Sequence, residues 1–158
     1  GSRGSVIPYF LSLKNKNEFP ITDERMTRFM ISLNQGIDLV WHAFKDMVGG
    51  EIYVKKIPSM KILDIAKAIN KSATLKIVGI RPGEKLHEQL ISADESTHTY
   101  EFDRYYKILS PLNEWDACSK RIKGGKKVKD GFEYTSDQNA YWLNNKQLKS
   151  WLSKIDYQ

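Results

Sequence analysis

The sequence predicts an α/β fold, and three observations carry that expectation. Residues 51–92 run strand, helix, strand, helix, which implies a parallel or mixed sheet with helices packed on it. Hydrophobic residues make up 41% of the 158, enough for a packed core and too many for a disordered chain. No apolar run approaches the roughly 20 residues a membrane span needs.

The elements follow in order. "SVIPYFLSLKNK" reads as a first helix with apolar Val6, Tyr9, Phe10 and Leu13. No cleavage site accompanies it, so no signal peptide is expected. "EFPITD" is a short extended segment because Pro20 discourages helix before it, and "MTRFMI" is a short strand. Ser32 opens the next helix, with Gln35 completing a capping box. Ile37, Val40, Trp41, Phe44 and Val48 form its apolar stripe, and Gly49-Gly50 stops it. "EIYVKK" is a strand. "SMKILDIAKAIN" is a helix capped by Ser59, with Ile62, Ile65, Ala66 and Ile69 inward. "LKIVGI" is a strand and "EKLHEQLIS" a helix. "YYKIL" is a strand, 112–131 is mostly loop, and "YWLNNKQLKSWLSKI" closes the chain as a helix with Leu148, Trp151, Leu152 and Ile155 inward. There is no internal repeat, and the composition offers one internal boundary, near 111–131.

The net charge of +6 favours anionic partners. Six basic residues fall in Ser119 to Lys129, but no aromatics interleave to stack on bases, so a solvated loop is expected rather than a nucleic-acid arm. The single Cys118 excludes an internal disulfide and a multi-cysteine zinc site, making a reducing, cytoplasmic compartment the default. His42, His87 and His98 share no metal-ligand spacing; His42 and His87 are expected on helix surfaces. The four methionines are expected as core filler.

Three short stretches have the residue types for binding. In "GIRPGEKLHE", Arg81 is placed at the carboxyl end of a strand, where α/β sheets bind ligands. Pro82 and Gly83 set a turn, and Glu84 is placed in a first helical turn, where the helix dipole favours a carboxylate. The functional reading is an arginine for phosphate and a carboxylate for a sugar diol; the plain one is a capped helix with a surface arginine. In "ITDERMTRF", Arg28 sits among apolar neighbours and needs a partner if buried: a phosphate, or a salt bridge to Asp23 or Glu24. In "GSRGSVIP", small residues and backbone N–H groups precede a helix, which suits an anion. The corners holding Arg28 and Arg81 are expected close together.

Taken together, "GSRGSVIPYF", "FPITDERMTRF", "GGEIYVKKIPSMKILDIAKAI", "IVGIRPGEKLHEQLIS" and "FEYTSDQNAYWL" resemble the C-terminal half of bacterial UDP-N-acetylglucosamine 4,6-dehydratases. The likeness is to the inverting, 5-epimerising kind that starts pseudaminic acid and related surface-sugar synthesis. These are extended short-chain dehydrogenases, and the resemblance covers essentially the whole chain. It implies a Rossmann-like fold portion, residues 1–158 being the substrate-binding part with the N-terminal cofactor-binding half absent. It further implies that Arg28 and Arg81 contact the UDP diphosphate and Glu84 the ribose hydroxyls. Arg3, Gly4, Ser5, Val6 and Ile7 would line the sugar and phosphate pocket, and backbone near Phe19 to Ile21 would face the uracil.

The departures are specific. The family's G-x-x-G-x-x-G cofactor turn is matched by Gly1 and Gly4, but Ile7 stands where the third glycine belongs. No tyrosine has a lysine four residues later, so the catalytic Tyr-x-x-x-Lys pair is missing. The chain is therefore expected to be a fragment, inactive alone, with no catalytic residue, no metal and no cofactor of its own. NADP is expected in the full-length enzyme. The expected partners are a UDP-sugar, the missing N-terminal Rossmann half and, at full length, further copies; neither nucleic acid nor a membrane span is expected. The alternatives are a retaining 4,6-dehydratase or 4-epimerase on the same scaffold, or a non-catalytic module binding nucleotide sugars or polyanions.

Overall fold

The computed structural model describes residues 5–110 and 119–153. The elements are α1 (Val6–Ser12), β1 (Glu18–Ile21), β2 (Thr27–Phe29), α2 (Leu33–Asp46), β3 (Ile52–Lys55), β4 (Ser59–Lys61), α3 (Ile62–Ile69), β5 (Thr74–Ile77) and β6 (Gln89–Ile91). A 3₁₀ turn at Asp94–His98 follows, then β7 (Thr99–Glu101), β8 (Tyr105–Ile108), α4 (Ser119–Ile122), β9 (Lys126–Lys127), β10 (Tyr134–Thr135) and α5 (Asn145–Leu152). Helices with parallel and antiparallel strands make this a mixed α/β fold, as the sequence predicts. Among the described residues, no helix is long and apolar enough to cross a membrane.

The chain divides into two units, each assembled from separate stretches: Gly1–Ser32, Pro58–Glu88 and Ser136–Gln158 in the first, Leu33–Ile57 and Gln89–Thr135 in the second. In the first unit, β1 pairs parallel with β5, Phe19 opposite Leu75. β2 pairs antiparallel with β4, Arg28 opposite Met60. Phe10, Phe19, Ile21, Met60, Ile65, Ala66 and Leu148 form its core, and the Phe10 and Phe19 ring centroids lie 5.5 Å apart. The buried face of α1 is Ile7, Phe10 and Leu13; Tyr9, expected on it, is half exposed. Helix α5 begins at a capping box the sequence reading missed: Asn144 accepts the Gln147 N–H, and the Gln147 side chain accepts the Asn144 N–H, each at 2.9 Å. Leu148 and Leu152 are buried and Trp151 packs against the core; Ile155 lies outside the described residues.

Three expected elements differ. Ser59 does not cap a helix. It is fully buried in β4, donating its N–H to the Tyr141 carbonyl while its hydroxyl accepts from the Asn139 amide, so α3 starts at Ile62. "EKLHEQLIS" is not a helix. Its backbone groups are taken by distant partners: the Leu86 carbonyl by the Thr27 N–H, and the Glu88 N–H by the Ser136 hydroxyl, before β6 pairs with β10. The two successive strand-helix pairs over 51–92 are thus one, β4–α3, and β3 and β5 lie in different sheets.

The second unit is built on an antiparallel sheet ordered β3-β8-β7-β9. Its interior contains charge. Lys107 is 1% exposed; its ammonium binds the Asp46 carboxylate and the Arg121 carbonyl, and lies 5.2 Å from the centroids of both the Tyr53 and Phe102 rings. Arg121, expected in a solvated loop, is buried against Glu51 at 3.5 Å. Glu51 also accepts the N–H groups of Val48 and Gly49. Met47 is 40% exposed, unlike the other three methionines, which are buried. Cys118 lies outside the described residues.

Four tyrosines of this unit resist ionisation. Burial, then the Glu101 charge, pushes Tyr106 up to about 12. Burial and the Asp46 carboxylate raise Tyr53, whose hydroxyl donates to Asp46 at 2.7 Å. Burial raises Tyr105, with Asp46 adding to it, and raises Tyr134 despite its bond from the Ile57 N–H. Folding stability is therefore full below the ordinary phenol value of 10.0 and is lost as pH rises through Tyr106's folded value of about 12, because only the unfolded phenols ionise between the two. Alkaline titration at 295 nm should show these phenolates appearing together with the loss of near-UV circular dichroism; smooth ionisation of all tyrosines near pH 10 would refute it.

Candidate functional site

The site is built on the first unit, at the segment that leaves β5. The Val78 N–H donates to the Ile21 carbonyl at 2.8 Å, and the chain then turns at Gly79. Arg81 to Glu84 close a β-turn, the Glu84 N–H donating to the Arg81 carbonyl at 3.0 Å. Pro82 fits the second position and Gly83, at φ 81, the third, which is the type II pattern. The Glu84 carboxylate accepts the Arg81 N–H at 3.2 Å and the Thr22 hydroxyl at 3.4 Å. Glu84 is thus held by a turn, not by a helix N-terminus. The Arg81 side chain is exposed, and its guanidinium has no protein partner among the described residues.

Arg28 is differently placed. One terminal nitrogen donates to the carbonyls of Thr27 (2.7 Å) and Leu86 (3.2 Å). The other donates to the Lys85 carbonyl at 3.0 Å and the Met26 sulfur at 3.2 Å, while Nε lies 3.3 Å from Glu88. The salt-bridge partner is therefore Glu88, and not Asp23 or Glu24; both Asp23 oxygens are on Arg25, which holds that carboxyl down at about 2. Because Lys85 and Leu86 directly follow the turn, Arg28 brings the two corners together. Behind it, the Thr27 hydroxyl meets Ser136 Oγ at 2.6 Å and His87 Nδ1 at 2.8 Å. This Thr27–His87–Ser136 network escaped the sequence reading, since its members are 60 and 109 residues apart and share no local pattern. His87 is accordingly not on a helix.

Of the other predicted residues, Arg3 and Gly4 lie outside the described residues. Ser5 precedes α1 in extended conformation without a side-chain cap, its carbonyl accepting the Tyr9 N–H. Val6 opens the helix, half-buried. Ile7 and Ile21 are buried in the core, so they can reach a ligand only through their backbone. A glycine-rich cofactor turn needs close backbone approach after a strand; Ile7 instead fills a core position inside α1. No group of three or more His, Cys, Asp or Glu among the described residues could hold a metal. An exposed guanidinium beside an oriented carboxylate can bind an anion and a diol together.

Residues 1–110 match the pattern of a family described as polysaccharide biosynthesis protein. The chain belongs to that family. Two relatives named UDP-N-acetylglucosamine 4,6-dehydratase (inverting), both from Campylobacter jejuni, are 50% and 49% identical over 94% of the chain and 46% of their own lengths. This identity bears out the resemblance carried by the motifs. A relative from Rickettsia bellii named UDP-glucose 4-epimerase is 35% identical over 99% of the chain and 47% of its own length. Among solved structures, Pen from Bacillus thuringiensis superposes with a TM-score of 0.78 at 32% identity, over 96% of this chain and 46% of that one. The chain thus spans about half the length of the family relatives it matches.

Proposed function

We propose that this chain is the nucleotide-sugar-binding portion of a UDP-N-acetylglucosamine 4,6-dehydratase of the inverting, 5-epimerising kind, acting in bacterial surface-polysaccharide or pseudaminic acid synthesis. The observation that carries this is the 50% identity to a dehydratase of that name over 94% of the chain. In this reading residues 1–158 are one substrate-binding part, in the cytoplasm, of a protein that associates with further copies when complete. Arg81 binds the diphosphate, Glu84 the ribose hydroxyls, and the stretch Arg3 to Ile7 with the backbone at Ile21 lines the sugar, phosphate and base. Arg28 reaches the diphosphate by releasing its two poorest contacts, Glu88 and the Met26 sulfur. The hydride chemistry of NADP and the catalytic acid and base belong to the portion of the relatives that this chain does not span. A second reading, a 4-epimerase, has the 35% identity to the Rickettsia protein in its favour.

Titration calorimetry tests the binding role. UDP-N-acetylglucosamine should bind the chain saturably, and more tightly than UDP-glucose; the reverse preference favours the epimerase. Arg81→Ala removes a charge-assisted contact worth about 1.5–3 kcal/mol, a loss of roughly tenfold to a hundredfold in affinity. Glu84→Gln keeps an acceptor and should cost less, about 1 kcal/mol. With NADP added, no 4-keto product should form. Unchanged affinity in Arg81→Ala would show that the turn serves only the fold.

A further inference from the structure

Helix α2 is built inside out. Its apolar stripe (Leu33, Ile37, Val40, Trp41 and Phe44) repeats at helical spacing, and such a face normally turns to a core. Here it turns to solvent: Leu33 is 80% exposed, Phe44 70% and Trp41 61%, and no residue of the helix is buried. The half-buried side, which includes Leu39 and Ala43, is anchored to its own unit by polar groups. Asp46 binds Lys107 and Tyr53, and the His42 ring packs on Tyr105 at 4.6 Å and edge-on to Tyr53 at 5.8 Å. The inner anchors fix the helix rotation, so the apolar face cannot roll inward without breaking the Asp46–Lys107 pair. An apolar patch of this extent on a folded protein marks an interaction surface.

We propose that this face of α2 docks the portion of the family fold that the chain does not span. It rests on the reading above, in which that portion carries the cofactor chemistry. The chain matches only 46% of both the Campylobacter dehydratase and Pen, so the family fold holds more polypeptide than this chain supplies. A second copy of the chain is the poorer occupant: two chains of net charge +6 repel, and the stripe carries no charge of its own to offset that.

The test joins this chain, in one polypeptide, to the portion of the Campylobacter jejuni dehydratase that it does not match. Hydroxyl-radical labelling then reads Trp41 and Phe44 in the chimera and in the chain alone. Labelling of both should fall at least tenfold in the chimera, and Phe44→Asp should lower the chimera's urea midpoint while leaving that of the free chain unchanged. The free chain should sediment as a monomer. A chimera in which Trp41 and Phe44 label as in the free chain, or that does not unfold cooperatively, overturns the proposal. So does a concentration-dependent dimer of the free chain that protects Trp41. Neither readout involves nucleotide, so failure here and failure of UDP binding are told apart.

Discussion

Asp46→Ala should destabilise the second unit by roughly 3 kcal/mol, near the lower end of the 3–5 kcal/mol typical of removing one partner of a buried ion pair. The low end applies because the Asp46 side chain is 35% exposed whereas that of Lys107 is 2% exposed. The substitution strands an ammonium that water cannot reach, leaving it the Arg121 carbonyl and two aromatic rings. Lys107→Met is the converse change. It removes the buried charge, keeps much of the volume, and leaves a carboxylate that solvent can reach, so about 1 kcal/mol is expected. The unequal cost is the signature, and urea unfolding of both variants measures it. Equal losses would mean that the pair acts only as an exposed salt bridge. The same pair sets an acid limit. Burial pushes the Asp46 carboxyl up, but the Lys107 ammonium and Tyr53 hydroxyl outweigh it and hold it below the ordinary value of 3.8. Its contribution is therefore present above pH 3.8 and is lost as pH falls through the lower folded value. In Asp46→Ala that part of the acid transition should vanish.

Arg28→Ala should cost roughly 2–4 kcal/mol of stability with no nucleotide present, since hydrogen bonds to a charged group are worth about 1.5–3 kcal/mol each and do not add fully. The carbonyls of Thr27 and Lys85 lose the Arg28 donor at once, and that of Leu86 keeps only the Thr27 N–H. Arg28→Lys should not restore the loss, because one ammonium cannot span the planar fork. Arg81→Ala, by contrast, should leave the unfolding curve unchanged, as its guanidinium touches no described protein group. Thermal unfolding of the three variants without ligand decides between them. An Arg28→Ala protein as stable as the parent would show that the carbonyl contacts contribute nothing.

What the sequence made legible follows the range of the forces involved. The turn at Arg81 could be read because Pro82 fixes its φ and Gly83 admits the positive φ that the next position needs. The helix expected after it could not be ruled out, because the partners that draw its backbone away, Thr27 and Ser136, lie far along the chain. In α2 the periodicity identified the helix but not its rotation, which is set by Asp46 and Lys107 across 61 residues. Arg28 was correctly seen to need a partner, while Glu88 and the two loop carbonyls were invisible to any neighbour-based reading. Arg121 looked like one basic residue among six, and only the fold brings it to Glu51.

The order in which the two units draw on the chain has a consequence for synthesis on the ribosome. All residues of the second unit have been made once Thr135 has been added, whereas the core of the first still lacks Leu148 and Leu152. The nascent chain must hold Phe10, Phe19, Ile62 and Ile65 without α5 while the whole of the other unit emerges and can close. Chaperone dependence should therefore be greatest for chains stalled between residues 88 and 145, when this apolar surface is made but its closing helix is not.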